Sequence, residues 1–242
     1  MNVNLTLNGR PTRLSCEPGT TLLEALRAKG IVSVRNGCDG EGSCGLCAVR
    51  LDGALVNSCQ ILAAQAESRD VKTVDYYSRE RKLGVVQQAL IDAACVQCGY
   101  CTPAVALALH ELLERSSEPS EDEISDALSG TLCRCTGYEQ FYNAARIASR
   151  RLKDPAYAEA AAPEFSPGHR HVGKDREKVD AAALARGERA FVEDRVPADA
   201  CHLLVLGSPH AHAYVRRVDI SAADAMPGVI KVLCKDNCPD LV

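Results

Sequence analysis

Eight of the chain's 13 cysteines fall into two sets of four: Cys38, Cys44, Cys47 and Cys59, then Cys98, Cys101, Cys133 and Cys135. Thiolates are soft metal ligands, and four at a time are what a tetrahedral ion or a small metal cluster needs. A disulfide framework fits poorly. The cysteine total is odd, and the opening Met1-Asn2-Val3-Asn4-Leu5 has neither the basic nor the apolar region of a secretion signal. Metal or redox chemistry is therefore the expectation. The other five cysteines read more plainly. Cys16, Cys95 and Cys201 sit among apolar neighbours and are expected to be small buried hydrophobes, while Cys234 and Cys238 are two thiols with no further ligand beside them. His210 and His212, two apart in a Ser/Pro turn, read as a surface loop.

Composition narrows the function classes. Lys+Arg 28 against Asp+Glu 32 gives a net charge of −4 with no block of either sign, which argues against nucleic acid as a partner. The longest apolar runs, such as Ala104–Leu109 and Leu203–Leu206, are too short to cross a bilayer, so no membrane association is expected. A cytoplasmic protein is expected. A length of 242 residues suits one large domain or two to three small ones.

The elements that must position the cysteines can be read from pattern. Val3, Leu5 and Leu7 alternate with polar residues as a strand, Asn8-Gly9 is a hairpin turn, and a second strand runs to about Cys16. Thr21-Leu22-Leu23-Glu24 is a capping box that opens a helix through Leu26, which Gly30 ends. A second hairpin turns at Asp52-Gly53, and Val71–Val74 is a last strand. These residues, 1–76, read as an α+β, β-grasp ferredoxin-like domain.

From Ser78 the period is helical. Leu83, Val86, Leu90 and Ala94 share one face. Thr102-Pro103 is read as an N-cap followed by proline at the first helical position, Ser120–Glu123 is a second capping box, and a last helix runs from about Tyr138 to Leu152 with Phe141, Ala145, Ala148 and Leu152 on one side. Residues 77–153 thus read as a four-helix bundle. Residues 154–177, with three prolines and an alanine-rich run, read as a linker. Residues 178–242 predict strands near Leu203–Leu206, Ala213–Asp219 and Val229–Leu233 and a short helix at Ser221–Ala225, an α/β piece without an obvious finish.

On this frame the first group, Cys38-x5-Cys44-x2-Cys47-x11-Cys59, lies in a glycine-rich loop between helix and hairpin. It resembles plant-type ferredoxin spacing with one extra residue in the first gap and a nearer fourth cysteine. A structural zinc site or four unligated thiols are the alternatives, although zinc favours paired CxxC knuckles and only Cys44/Cys47 is one. The second group, Cys98-x2-Cys101-x31-Cys133-x-Cys135, occupies two helix corners, which two packed helical hairpins would bring to one end. Taken alone, this group leaves a zinc-stapled bundle open.

Four stretches carry a family resemblance: Arg35-Asn36-Gly37-Cys38 through Cys47; Asn57-Ser58-Cys59-Gln60; Val96-Gln97-Cys98-Gly99-Tyr100-Cys101-Thr102-Pro103; and Leu132-Cys133-Arg134-Cys135-Thr136-Gly137-Tyr138. Over residues 1 to about 152 the chain resembles the 2Fe-2S subunit of molybdenum hydroxylases, the xanthine dehydrogenase/aldehyde oxidoreductase family. One departure is Ala104, where the family usually has glycine. The resemblance implies two 2Fe-2S clusters, the first plant-type and the second beside the molybdopterin, with Gln97 and Cys135 against the pterin. It implies an electron-transfer chain without a substrate site, a molybdenum-binding large subunit as partner, and FAD, if present, on a separate flavin-binding subunit. The alternatives are a zinc-stapled, non-catalytic assembly adaptor and a free ferredoxin-like carrier.

Val172 to Val242, with Gly207-Ser208-Pro209-His210 and Met226-Pro227-Gly228-Val229, is similar to the start of the family's molybdenum-binding chain, which opens an α/β hammerhead domain. That likeness implies a partial hammerhead segment completed by strands from elsewhere, and it argues against a free carrier.

Overall fold

The computed structural model describes residues 1–78, 82–157, 178–197 and 199–238. Past Tyr157 the expected linker lies outside the described residues. The chain forms two units, Met1–Val196 and Pro197–Val242.

The first unit begins with a hairpin. β1 (Asn2–Leu7) buries Val3, Leu5 and Leu7, and β2 (Arg10–Ser15) pairs with it antiparallel from Leu7↔Arg10 to Asn2↔Ser15. Asn8 and Gly9 both take positive φ, as a tight two-residue hairpin turn demands. α1 (Leu22–Ala28) starts at the Thr21/Glu24 capping box, each side chain bonding the other's backbone amide. Such a cap is worth about 1 kcal/mol. Its Leu22, Leu23, Ala25 and Leu26 join the strand side chains in one core. β3 (Ala48–Leu51), β4 (Ala54–Asn57) and β5 (Asp70–Lys72) complete a sheet of order β2-β1-β5-β3-β4. β1 and β5 are parallel and the other pairings antiparallel. This is the β-grasp arrangement, with the last strand in the middle.

Four helices follow: α2 (Val85–Asp92), α3 (Thr102–Arg115), α4 (Glu121–Leu128) and α5 (Glu139–Lys153). α2 is shorter than the apolar pattern predicts. It ends at Asp92, and Ala94 turns at φ +55 and is exposed, so the buried stripe is Val86, Ala89 and Leu90. Cys101, not Thr102, is the N-cap of α3. Thr102 is already helical and buried, with Pro103 in the first turn. α5 buries Phe141, Ala145 and Ala148 as expected but leaves Leu152 exposed, because its last turn is basic and pairs through Arg151 with Asp92 at 2.5 Å and through Lys153 with Glu118.

The two cores meet along α3 and β3. Arg50 bonds the Glu114 carboxylate and the Tyr77 hydroxyl, both at 2.7 Å, and the Tyr77 ring stacks on His110 with centroids 3.8 Å apart. Burial drives His110 down to about 4, which keeps it neutral there. Nearer the cysteines, the Leu132 amide donates to the Cys44 carbonyl at 2.8 Å. A Cβ on Gly45 would lie 1.8 Å from the Gly130 carbonyl oxygen, and Gly45 has φ +69.

Residues 178–196 pack within the first unit. α6 (Ala181–Ala185) puts Ala181, Leu184 and Ala185 into the helical core. In the second unit the three expected strands are not formed among the described residues. The stretch from Cys201 to Ile220 has no regular structure, and Leu204 is 94 % exposed. A strand needs a hydrogen-bonded neighbour, and the described backbone offers it none. The short helix does form, as α7 (Ser221–Asp224), with Asp219 accepting from the Ser221 amide at 3.1 Å. Cys201 is exposed, not buried as expected, because the stretch it opens is unpacked, and Cys16 is half-buried.

Gly45→Ala is predicted to destabilise the chain by roughly 2–5 kcal/mol, since it combines left-handed strain with overlap against backbone. Gly53→Ala has the same sign of φ, but its Cβ would meet only Arg50 Nη2 at an ordinary 4.0 Å, and it should cost about 1 kcal/mol. Denaturation midpoints of the two variants provide the comparison.

Candidate metal centres

The structure places the first four cysteines in the loop ahead of β3 and in the turn after β4. Cys38 leads the loop and is half-buried, Cys44 and Cys47 lie buried before β3, and Cys59 is buried in the turn after β4. The thiols interact in pairs, Cys38 with Cys44 and Cys47 with Cys59. Burial opposes ionisation of Cys38, but hydrogen bonds from Cys44 and Ser43 outweigh it and bring the thiol down to about 6. At Cys47 burial dominates and pushes it up to about 11. N–H groups point at the sulfurs, with Leu46 N 3.5 Å from Cys44 Sγ and Gln60 Nε2 3.3 Å from Cys59 Sγ. Gln60 also donates to the Gly40 carbonyl at 2.7 Å, which pins the two ends of the site together.

The second group forms where α2 runs into α3 and α4 into α5, as the helix-corner reading anticipated. Cys98 interacts with Cys135 and Cys101 with Cys133. Burial and then the Cys133 charge push Cys101 upward. At Cys133 burial works the other way from the net result: bonds from the Thr136 hydroxyl and amide and the Cys135 amide pull its thiol down. The Thr136 hydroxyl is 3.2 Å from its sulfur. Tyr138 braces this turn, accepting from the Cys133 amide at 2.9 Å and donating to the Thr131 carbonyl at 3.0 Å. Cys98, Cys135 and Gln97 are exposed, whereas Cys101 and Cys133 are buried, so the group opens on one side. Cys95 is buried nearby, hydrogen-bonded to the Gln140 carbonyl at 3.2 Å and pushed up to about 12 by burial.

Hydrogen bonds thus pair the thiols of each group two by two, and in the second group Cys98 also interacts with Cys101 and Cys133. Among the described residues, no three His, Cys, Asp or Glu side chains gather around a single point as one ion requires. A two-plus-two set with amide donors on the sulfurs fits a binuclear cluster, in which each iron takes two protein thiolates. His210 and His212 are exposed, as the sequence suggests.

Sequence reasoning missed what stands behind the ligands. Arg35 is fully buried and pairs with buried Asp194 at 2.8 Å, across 159 residues. Arg35 opens one of the stretches that carry the resemblance, but no periodicity or spacing points to Asp194 as its partner. Gly99, between Cys98 and Cys101, has φ +80 and lies under Leu184 of α6, where a Cβ would come within 2.7 Å.

Residues 5–76 match the 2Fe-2S iron-sulfur cluster binding domain, residues 73–146 the 2Fe-2S binding domain, and residues 186–242 the aldehyde oxidase and xanthine dehydrogenase a/b hammerhead domain. The xanthine dehydrogenase iron-sulfur-binding subunit of Escherichia coli O157:H7 is 41 % identical over 145 residues, 59 % of this chain and 91 % of that subunit. This chain belongs to the iron–sulfur part of the xanthine dehydrogenase/aldehyde oxidoreductase family. "Probable hypoxanthine oxidase XdhD" of Escherichia coli (strain K12) is 41 % identical over 241 residues, 100 % of this chain and 25 % of that protein. The aldehyde oxidoreductase from Desulfovibrio desulfuricans ATCC 27774 has a similar structure, with TM-score 0.83 and 31 % identity over 96 % of this chain and 26 % of that one. The chain therefore spans about a quarter of the length of these longer relatives. No described helix is long and apolar enough to cross a membrane.

Cys133→Ser or Cys135→Ser in this iron–sulfur chain is expected to remove one of two cluster signals and about half the bound iron. Cys38→Ser or Cys59→Ser should remove the other signal. EPR of the reduced protein with iron analysis checks both.

Proposed function

We propose that each cysteine group holds one 2Fe-2S cluster, Cys38, Cys44, Cys47 and Cys59 the first and Cys98, Cys101, Cys133 and Cys135 the second, in the electron-relay part of a molybdopterin-dependent hydroxylase. When bound, each cluster supplies a one-electron redox site. The observation that carries this reading is the direct joining of the two ligand loops. The Cys44 carbonyl accepts the amide of Leu132, the residue before Cys133. The chain's part is to hold the two ligand sets side by side, to exclude water from Cys44, Cys47, Cys59, Cys101 and Cys133, and to aim Leu46, Gln60 and Thr136 donors at the sulfurs.

The exposed side bearing Gln97, Cys98 and Cys135 is the proposed face for the pterin of a molybdenum-binding partner. The half-buried Cys38 loop is the proposed face toward the acceptor, a flavin on another subunit being the expected one. The exposed apolar residues Leu203, Leu204, Val205, Leu206, Val229, Ile230 and Leu233 are proposed to pack into the remainder of a hammerhead domain, whether it continues this polypeptide or comes from a partner. A cytoplasmic setting is proposed because thiol ligation calls for reduced cysteines, and all 13 are free.

The test is metal analysis and EPR of the anaerobically purified chain. The expected result is a coloured protein with about four iron and about four sulfide per chain and two distinct signals on reduction. A colourless protein carrying zinc, silent after reduction, would replace this reading with the assembly adaptor.

A further inference from the structure

Residues 178–196 lie beyond both cysteine groups in sequence, yet they reach back to each. The Asp194 carboxylate, fully buried, accepts from Arg35 Nη1 at 2.8 Å, from Arg27 Nη2 at 3.1 Å, and from the amides of Ala190 and Phe191 at 3.2 Å. Arg35 is held from other sides as well. Its Nη2 donates to the Glu188 carbonyl at 3.1 Å, and its guanidinium lies 4.7 Å from the centre of the Phe191 ring and 5.7 Å from that of Tyr100.

These contacts end on the ligand loops. Arg35 precedes Cys38 by three residues, and its amide donates at 3.3 Å to the carbonyl of Leu46, the residue between Cys44 and Cys47 that aims its own amide at Cys44 Sγ. Tyr100 lies between Cys98 and Cys101, and its hydroxyl contacts both the Asn36 carbonyl at 3.0 Å and Glu193 at 2.7 Å. The Phe191 ring meets Tyr100 edge-on at 4.9 Å, and Leu184 covers Gly99. One short segment therefore grips Arg35 ahead of the first group and residues 99–100 inside the second, and Tyr100 in turn holds Asn36.

We propose that Asp194 is a positioning residue for the relay: through Arg35, and through its neighbours on Tyr100, it fixes the backbone that carries Cys38, Cys98 and Cys101, and it balances the buried charge of Arg35, three residues ahead of Cys38. The inference rests on the proposed cluster-holding function. Its electrostatic sign is definite. A cluster gains negative charge on reduction, and an uncompensated cation in a poorly solvated site favours that state. Loss of the carboxylate charge should therefore raise the potential of the first-group cluster.

The test uses the full chain with both clusters loaded, comparing Asp194→Asn with the unaltered protein by redox titration followed by EPR. The expected result is unchanged iron content, an upward shift in the midpoint potential of the first-group cluster, and an altered line shape for the second. Unchanged potentials and line shapes with only a lower melting temperature would overturn the proposal and reduce the segment to a clip on the fold. If Asp194→Asn fails to load iron, hydrogen exchange on the metal-free Asp194→Asn chain against the metal-free unaltered chain decides, and Tyr100→Phe, which keeps the ion pair and removes only the hydroxyl between Asn36 and Glu193, tests the Tyr100 arm in the same way. Hydrogen exchange at the amides of residues 35–38 and 99–101 should then quicken, and equal exchange would overturn the proposal. An unaltered chain without iron would strike at the proposed function instead, while exchange on the metal-free Asp194→Asn chain would still decide the positioning claim.

Discussion

The arrangement of the first unit hangs on one close backbone approach. The Cys44 carbonyl accepts the Leu132 amide, and Gly45 passes so near Gly130 that no side chain fits between them. A hydrogen bond of this kind contributes only about 1 kcal/mol by itself. Its effect is geometric. It can form only if the glycine-rich loop ahead of β3 and the turn ahead of α5 touch, which requires α3 to lie on β3 and places one cysteine group against the other. The apolar packing and the Arg50–Glu114–Tyr77 cluster supply the stability that keeps the contact closed.

A second constraint is electrostatic. Burying a guanidinium is costly unless its hydrogen bonds and charge are met. Arg35 meets most of that demand through Asp194, the Glu188 carbonyl and two aromatic faces, although its Nε finds no acceptor among the described residues. Asp194 in turn accepts two guanidinium and two amide donors. The amides of Ala190 and Phe191, at the start of the turn Val192–Arg195, are aimed at its carboxylate, as at a helix N-terminus. Burial works against that carboxylate's ionisation, and these donors more than offset it, so it is held below the usual carboxylate range.

The sequence disclosed the parts of the fold whose signals are local. Asn8-Gly9, Asp52-Gly53 and the Thr21 and Ser120 capping boxes each act within a few residues and appear where pattern put them. The neighbourhoods of the cysteines were legible too, since Cys44 and Cys47 share one loop and Cys133 and Cys135 one turn, and ligand loops keep their ligands close in sequence. What pattern missed is non-local. Ala94 continued a helical stripe on paper, but α2 ends two residues earlier in a left-handed turn. Leu203–Leu206 has strand composition without a partner strand to realise it. The short, alanine-rich α6 carries a weak periodic signal, and its destination, the groove over Gly99, is set by packing that no spacing encodes.

The place where α6 lands changes what a break in the chain would mean. The proline-rich stretch after α5 looks like the natural seam of the molecule, yet the residues just beyond it are buried in the first unit. A protease nick between Tyr157 and Lys178 would sever the polypeptide and leave the assembly whole, with the downstream fragment still anchored by Leu184 in the helical core and by Asp194 on Arg35. The true seam lies near Val196. A cut at the apparent linker, by contrast, would yield two fragments that travel together until denatured.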